Sequence, residues 1–308
     1  MFLTVCLNPT LQKTLNFSSV VPGKVNRTAV HRLDVSGKGI NVTRILTQLG
    51  KKAVHLTQLG GDMRSLFLSL CDQDELSLEW VESNSPIRFC YTLLTENDNI
   101  TTELVEESQP VEADTEKRIL EKFNELLTLN SQSSILNFLI ISGTKAAGFS
   151  SEVFPTMVRK AKEKGLKIIL DFRGNDLIEC LKFEPDIVKP NFDEFIDTFK
   201  TEPTKDILMD MANKYRCRII ITNGSRKILA ADGTINDTKN ISEKYFEIEI
   251  DPVKPVNTIG CGDAFTAGLA SALYDSDSLS GAGFFAAINE GIRCGALNAG
   301  LVKPGVIR

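Results

Sequence analysis

Residues 257–273 read NTIGCGDAFTAGLASAL. Gly260, Cys261 and Gly262 stand directly before Asp263, and an apolar run follows: Ala264, Phe265, Ala267, Leu269, Ala270. Small residues allow a tight turn whose amides converge on one spot, and the apolar run predicts a helix starting there. Amides at a helix N-terminus bind anions and stabilise developing negative charge. A carboxylate beside them suits phosphoryl transfer: the amides hold phosphoryl oxygens and Asp263 takes a proton from an attacking hydroxyl. On spacing alone, an aspartate that caps a helix after a glycine turn is an equal alternative.

A second turn of this kind lies at 34–50, DVSGKGINVTRILTQLG. Gly37 and Gly39 bracket Lys38, and Asn41 reads as the opening of a helix with Val42, Ile45, Leu46 and Leu49 on its apolar face. A cation and an amide donor aimed forward from a glycine turn suit a sugar or a phosphate. A strand-to-helix turn with a solvated lysine is the alternative. The chain contains neither GxxxxGK[ST] nor GxGxxG, so neither the P-loop nor the dinucleotide fingerprint applies.

Around these turns, short apolar runs alternate with amphipathic segments. Residues 2–7, 138–142, 167–171, 186–189 and 218–222 read as buried parallel strands. Residues 116–129 place Ile119, Leu120, Phe123, Leu126 and Leu127 on one helical face. Residues 152–164 do the same with Val153, Met157, Val158 and Ala161, before Gly165 as a stop. Such alternation predicts an α/β fold, a doubly wound sheet flanked by helices, with ligands beyond the carboxyl ends of the strands. Asn8, Ser142, Asp171, Lys189 and Thr222 fall at those ends. Two stretches, about 11–33 and 88–108, alternate without helical period; Ile87, Phe89, Tyr91 and Leu93 fall on one side, Arg88 and Thr92 on the other. They predict a small antiparallel β lid inserted in two pieces into one domain spanning 1–308. Edge strands of the main sheet are the alternative.

The bulk numbers agree with this reading. The chain has 308 residues and a net charge of −5, which gives no basic footprint for nucleic acid. The start, MFLTVCLNPT, lacks the basic flank and cleavage site of a signal peptide, and the longest apolar run, 135–141, is too short to span a bilayer. Seven scattered cysteines without a CxxC pair suit reduced thiols in a cytoplasm. The two histidines, His31 and His55, offer little to a triad or a metal site.

Taken together, SGKGINVT, with Gly50 and Gly60 following, resembles the first signature of the ribokinase-like (PfkB) carbohydrate kinases, and NTIGCGDAFTAGLA their second. VKPNFDEF (188–195) is similar to the family's nucleotide-side segment. LTVCLNPT (3–10), VNRTAVHR (25–32) and SGTKAAG (142–148) resemble the branch of 1-phosphofructokinases and tagatose-6-phosphate kinases. The resemblance covers essentially the whole chain, in order. It implies a ribokinase-like fold, ATP and Mg²⁺, and a small phosphosugar as acceptor. Asp263 would be the catalytic base, with the amides of Gly260, Cys261 and Gly262 as anion hole. Gly37, Lys38, Gly39 and Asn41 would hold the sugar phosphate, with Ser142 nearby. Arg88, and less directly Arg27, would face its phosphate. Lys189 and Asn191 would lie near the ATP phosphates, with Glu194 near Mg²⁺ and its waters. Thr222, Asn223 and Gly224 would lie along the nucleotide, and Asn289 near the adenine. Pairing of lids in a homodimer is also implied.

The resemblance departs at Gln12, where the branch carries an aspartate expected to bind sugar hydroxyls. An amide both donates and accepts, whereas a carboxylate only accepts. Ser36 and Cys261 replace other small residues, and TELVEES (102–108) matches the branch's lid ending poorly. Fructose 1-phosphate is the first expected acceptor and tagatose 6-phosphate the second; fructose 6-phosphate and unphosphorylated sugars rank behind them. A sugar-phosphate or nucleotide sensor on the same fold is the non-enzyme alternative.

Overall fold

The computed structural model describes residues 1–98, 100–128, 135–234, 244–276 and 281–308. The chain runs β1 (Phe2–Leu7), β2 (Thr10–Phe17), β3 (His31–Ser36), α1 (Lys38–Gln48), β4 (Ala53–Gly60), α2 (Arg64–Gln73), β5 (Leu78–Ser83), β6 (Arg88–Thr95) and β7 (Ile100–Val105). It continues through α3 (Thr115–Thr128), β8 (Phe138–Lys145), α4 (Val153–Glu163), β9 (Lys167–Asp171), α5 (Asn175–Leu181), β10 (Ile187–Val188) and α6 (Phe192–Phe199). Then come α7 (Lys205–Tyr215), β11 (Arg218–Ile221), β12 (Ile228–Asp232), β13 (Tyr245–Ile248), α8 (Cys261–Asp275) and α9 (Gly281–Ala299). Residue 129, the last of the helix expected over 116–129, lies outside the described residues.

The five runs expected as buried strands form the middle of a nine-stranded sheet, ordered β13-β12-β11-β10-β9-β8-β1-β4-β5. From β11 to β5 every pairing is parallel; β12 and β13 add an antiparallel edge. Both faces are covered, and the two-residue period of a strand sorts the core accordingly. Leu3, Val5 and Leu7 pack with Phe123 of α3 and Phe154, Met157 and Val158 of α4. Phe2 faces the other way, with Val42, Ile45 and Leu46 of α1, Leu269 of α8 and Phe284 of α9. Each such side chain, fully buried, stabilises the fold by roughly 1.5–3 kcal/mol. The second layer is what binds α8 and α1 to each other, and these two helices carry the two glycine turns.

The remaining four strands form a separate sheet, ordered β3-β2-β6-β7, not an edge of the main one. Each hairpin is antiparallel as expected. The central pair, β2 and β6, runs parallel from Thr10↔Arg88 to Phe17↔Thr95, a difference from the all-antiparallel expectation. The reason is topological: β1 and β5 are parallel members of one sheet and deliver the chain to the same edge, so the first strand of each hairpin leaves in the same direction. The sheet is rooted by Leu11, Val35 and Ile87, packed with Ile40, Leu59 and Phe67. Its other face turns toward the carboxyl ends of the main strands.

Candidate active site

Between the small sheet and those strand ends lies a cavity of about 340 Å³. Asp263 is at its floor. Gly260 caps α8 in the left-handed region, with φ of 84°, a conformation that favours glycine. Asp263 is thus the third residue of the helix, in its first turn, where Cys261 N donates to Thr258 O at a long 3.4 Å. Asp263 is 5% exposed, and Asn41 Nδ2 donates to its Oδ2 at 2.8 Å. Burial pushes the carboxyl up to about 6, with Asp171 adding to the rise; Lys38, the Asn41 hydrogen bond and Lys189 oppose it. A carboxylate so placed is ionised near neutrality yet basic enough to accept a proton.

The turn before α8 is braced from behind. Asn298 Nδ2 donates to Ile259 O at 2.9 Å, and Asn298 Oδ1 accepts from Gly305 N at 2.8 Å and Val306 N at 3.2 Å. A Cβ on Gly260 would lie 2.7 Å from Gly305 N, so glycine is required there on two counts.

Two lysines and two further carboxylates form the wall. Lys38 is the first residue of α1, which begins one turn earlier than expected; Gly37, with φ of 109°, lets the chain turn straight into it. Lys38 Nζ lies 2.9 Å from Glu194 Oε1 and 3.5 Å from Asp171 Oδ1, and Lys189 Nζ lies 3.3 Å from Asp171 Oδ1. Burial works against the Lys38 charge, but Asp171, Glu194 and Asp263 outweigh it and raise the ammonium above its ordinary value. Burial would likewise raise Asp171; Lys189, Lys38 and the Thr266 hydroxyl, which donates to its Oδ2 at 2.8 Å, hold it low instead. Asn191 and Glu194 form a capping box on α6: Glu194 N donates to Asn191 Oδ1 at 2.8 Å and Asn191 N to Glu194 Oε2 at 2.9 Å. Thr222 bridges to Asn191 and also lines the cavity.

The small sheet supplies the roof. Thr10, Gln12, Arg88, Cys90, Glu103 and Val105 line the cavity. Gln12 is 2% exposed and its Nε2 donates to Thr92 Oγ1 at 2.5 Å. Arg88 Nη1 donates to Glu106 O at 3.0 Å, while its buried Nε–H has no acceptor.

The cavity therefore gathers Gln12, Gly37, Lys38, Asn41, Arg88, Lys189, Asn191, Glu194, Thr222, Gly260, Gly262 and Asp263 from the expected set. Others stand apart. Gly39 is buried against β1 and β4; a Cβ there would lie 2.5 Å from His55 Cε1 and 2.9 Å from Cys6 Cβ, so packing explains the glycine. Ser142 sits beneath the floor, donating to Asp171 Oδ2 at 3.2 Å. Cys261 turns its thiol away toward Asn298, and burial raises its pKa, as suits a packed thiol. Arg27 is exposed in the connection between β2 and β3, and Asn223 and Gly224 lie in the turn after β11. Asn289 is exposed within α9, its Nδ2 donating to Phe285 O at 3.1 Å. None of these last four lines the cavity. Among the residues not anticipated are Glu103, whose segment matched the branch poorly, and Asp171 as an ion-pair centre, which the sequence marks only by the end of its strand.

Comparison with known proteins bears on the family and the fold. The chain is 28% identical over 295 residues to a tagatose-6-phosphate kinase of Staphylococcus epidermidis, covering 94% of this chain and 92% of that one. A crystal structure of phosphofructokinase-2 from Escherichia coli with substrates and products superposes with a TM-score of 0.82 at 22% identity, over 97% and 92% of the two chains. A possible 1-phosphofructokinase from Thermotoga maritima gives 0.81 at 19% identity, over 97% and 91%. The family model for pfkB family carbohydrate kinases matches residues 10–297. With nearly its whole length matched, and both glycine turns meeting at one cavity, the chain belongs to the pfkB family of carbohydrate kinases, phosphotransferases that act on a hydroxyl.

Proposed function

We propose that the chain phosphorylates a ketohexose phosphate with ATP, giving the bisphosphate. The observation that carries the phosphorylated acceptor is Arg88. A buried guanidinium N–H without an acceptor is costly, and Arg88 is among the residues that line the cavity Asp263 floors. A phosphate on the sugar would satisfy it. Fructose 1-phosphate is the first candidate from the sequence motifs. The name of the S. epidermidis relative puts tagatose 6-phosphate level with it.

In this reading Asp263 Oδ1 takes the proton of the acceptor hydroxyl. The hydroxyl oxygen bonds to the γ-phosphorus as the bond to the bridging oxygen of ADP breaks. The amides of Gly260, Cys261 and Gly262 hold the transferring oxygens, and Lys189 and Lys38 offset the charge. A loose transition state of this kind needs positioning and charge neutralisation above all. Gln12, with its amide nitrogen tied to Thr92, offers the sugar a carbonyl oxygen and so keeps the acceptor chemistry of the branch's aspartate. The small sheet acts as a lid that keeps water from competing as acceptor.

Mg²⁺ fits the donor set. Glu194 is the one carboxylate of the nucleotide-side segment beside the cavity, and both its oxygens are engaged, Oε1 by Lys38 and Oε2 by Asn191 N. Among the described residues there is no group of three acidic, histidine or cysteine ligands. That suits an ion held mainly by its waters and the ATP phosphates, and it would supply further neutralisation there. Asn191 and Thr222 line the cavity and would flank the nucleotide; Arg27, Asn223, Gly224 and Asn289 have no cavity contact to support the roles expected of them.

The reading extends to a homodimer through the lid: β7 is an edge strand with Ile100, Leu104 and Val105 exposed, the kind of edge that pairs. Among the described residues no helix is long and apolar enough to cross a membrane, and all seven cysteines are free; the cytoplasm remains the proposed compartment. The test is ADP release with ATP and Mg²⁺ against fructose 1-phosphate, tagatose 6-phosphate, fructose 6-phosphate, fructose and ribose. We expect one ketohexose phosphate to turn over fastest. Turnover of a free sugar alone would overturn the role given to Arg88.

A further inference from the structure

Behind Asp263 lies a buried arginine that no step above uses. Asn41 engages both ends of its carboxamide. Nδ2 donates to Asp263 Oδ2 at 2.8 Å, and Oδ1 accepts from Arg44 Nη1 at 2.9 Å. A guanidinium only donates and an ionised carboxylate only accepts. The two partners therefore dictate which end of the amide faces which. Turned over, the carbonyl oxygen would meet the carboxylate and the NH₂ the guanidinium, and both contacts would be repulsive. Asn41 and Arg44 are each 2% exposed, so water offers little relief.

Arg44 is itself held from three directions. Its Nη2 donates to Val35 O at 2.7 Å, its Nε to Asp74 Oδ2 at 2.9 Å and its Nη1 to Pro304 O at 3.3 Å. These acceptors belong to β3, the turn after α2 and the loop after α9. Asp74 also pairs with Lys303, so the negative partner survives loss of the guanidinium. Packing does not require so many anchors on a residue one helical turn from Asn41. They leave the guanidinium a single direction in which to point.

We propose that Arg44 is a positioning residue for phosphoryl transfer: it locks the Asn41 amide with its NH₂ toward Asp263 and so aims the other oxygen of that carboxylate at the acceptor hydroxyl. This rests on Asp263 being the base. The charged groups that face Asp263 are Lys38 of α1, Asp171 at the end of β9 and Lys189 after β10; Arg44 reaches it through Asn41.

The discriminating pair is Arg44→Gln and Arg44→Lys. A glutamine both donates and accepts, so it keeps a hydrogen bond to Asn41 but no longer dictates its orientation. A lysine only donates, and keeps the dictate. We expect Arg44→Gln to lower kcat about tenfold or more, to leave KM for ATP within about twofold, and to move the acid limb of kcat/KM upward by roughly half a unit or more, as the flipped carbonyl disfavours the carboxylate. Arg44→Lys should keep the acid limb and most of kcat. A merely structural arginine predicts the same loss of melting temperature in both variants and an unmoved acid limb in both, and that result would overturn the proposal. Should Arg44→Gln not fold, Arg44→Met, which removes the donor altogether, is read in its place: a raised acid limb supports the proposal and an unmoved one overturns it. Asp263→Asn runs alongside. If it retains turnover, the base assignment fails and this proposal with it. If it is inactive while Arg44→Gln behaves as wild type, only the role of Arg44 fails.

Discussion

Replacing Asp263 with asparagine should make the protein more stable and nearly inactive. The carboxyl is raised from 3.8 to about 6 in the folded chain, chiefly by burial. Below 3.8 both the folded and unfolded chains carry the proton, and the site is not penalised. Between 3.8 and about 6 the folded chain binds the proton more tightly than the unfolded one, so stability falls as pH rises. Above about 6 the full penalty stands, up to about 3 kcal/mol at 1.36 kcal/mol per unit. Asparagine removes it and still accepts from Asn41 Nδ2. The expected gain at pH 8 is about 1–3 kcal/mol, a rise in Tm of roughly 2–6 °C for a chain of this size. At pH 5 roughly half of that gain should vanish. If Asp263 is the general base, as proposed, the same change should lower kcat by about 10²–10⁴. The assays are thermal melts of both proteins at pH 5 and pH 8 and ADP release at saturating substrates. Equal melting temperatures at pH 8 would refute the burial argument; turnover within about tenfold of wild type would refute the base.

Two further expectations concern the walls of the cavity. Arg88→Leu should cost about 1.5–3 kcal/mol of binding to a phosphorylated acceptor, the range for hydrogen bonds to charged groups. That is roughly 10- to 150-fold in kcat/KM, with little change for the corresponding free ketohexose; an equal loss on both would place Arg88 outside phosphate recognition. Gly260→Ala should destabilise the fold by about 1–3 kcal/mol, because a left-handed φ and contact with Gly305 N coincide there, and a melt matching wild type would contradict it.

What the sequence conveyed about this site follows from how local each signal is. The turn at 260–263 was legible because its small residues, its acid and the apolar helix after it are contiguous. The five buried strands were legible as unbroken apolar runs. β4 was not, since His55, Thr57 and Gln58 interrupt its run although all three are buried. The parallel pairing of β2 with β6 joins segments some eighty residues apart, and no local pattern encodes it. The same holds for the ion pairs of Asp171 with Lys38 and Lys189, which three separate strand-to-helix junctions bring together. Gly39 carries a reason that its motif does not reveal: the absent Cβ serves the contact of α1 with His55 and Cys6.

The brace behind Gly260 also sets an order in time. Synthesis proceeds from the N-terminus, and domains begin to fold as they emerge. The cavity walls on α1, β6 and β9 are made early, and the turn at 257–263 follows. Yet Asn298, Pro304 and Gly305, which fasten that turn and anchor Arg44, are made after every other part of the site. A nascent chain can assemble the small sheet and most of the large one while the turn that carries Asp263 is still slack. Catalytic competence therefore arrives abruptly, with the last turn of α9 and the loop beyond it, and a chain stalled before residue 298 should be folded in large part but unable to spend ATP, as ADP release from ribosome-arrested chains would reveal.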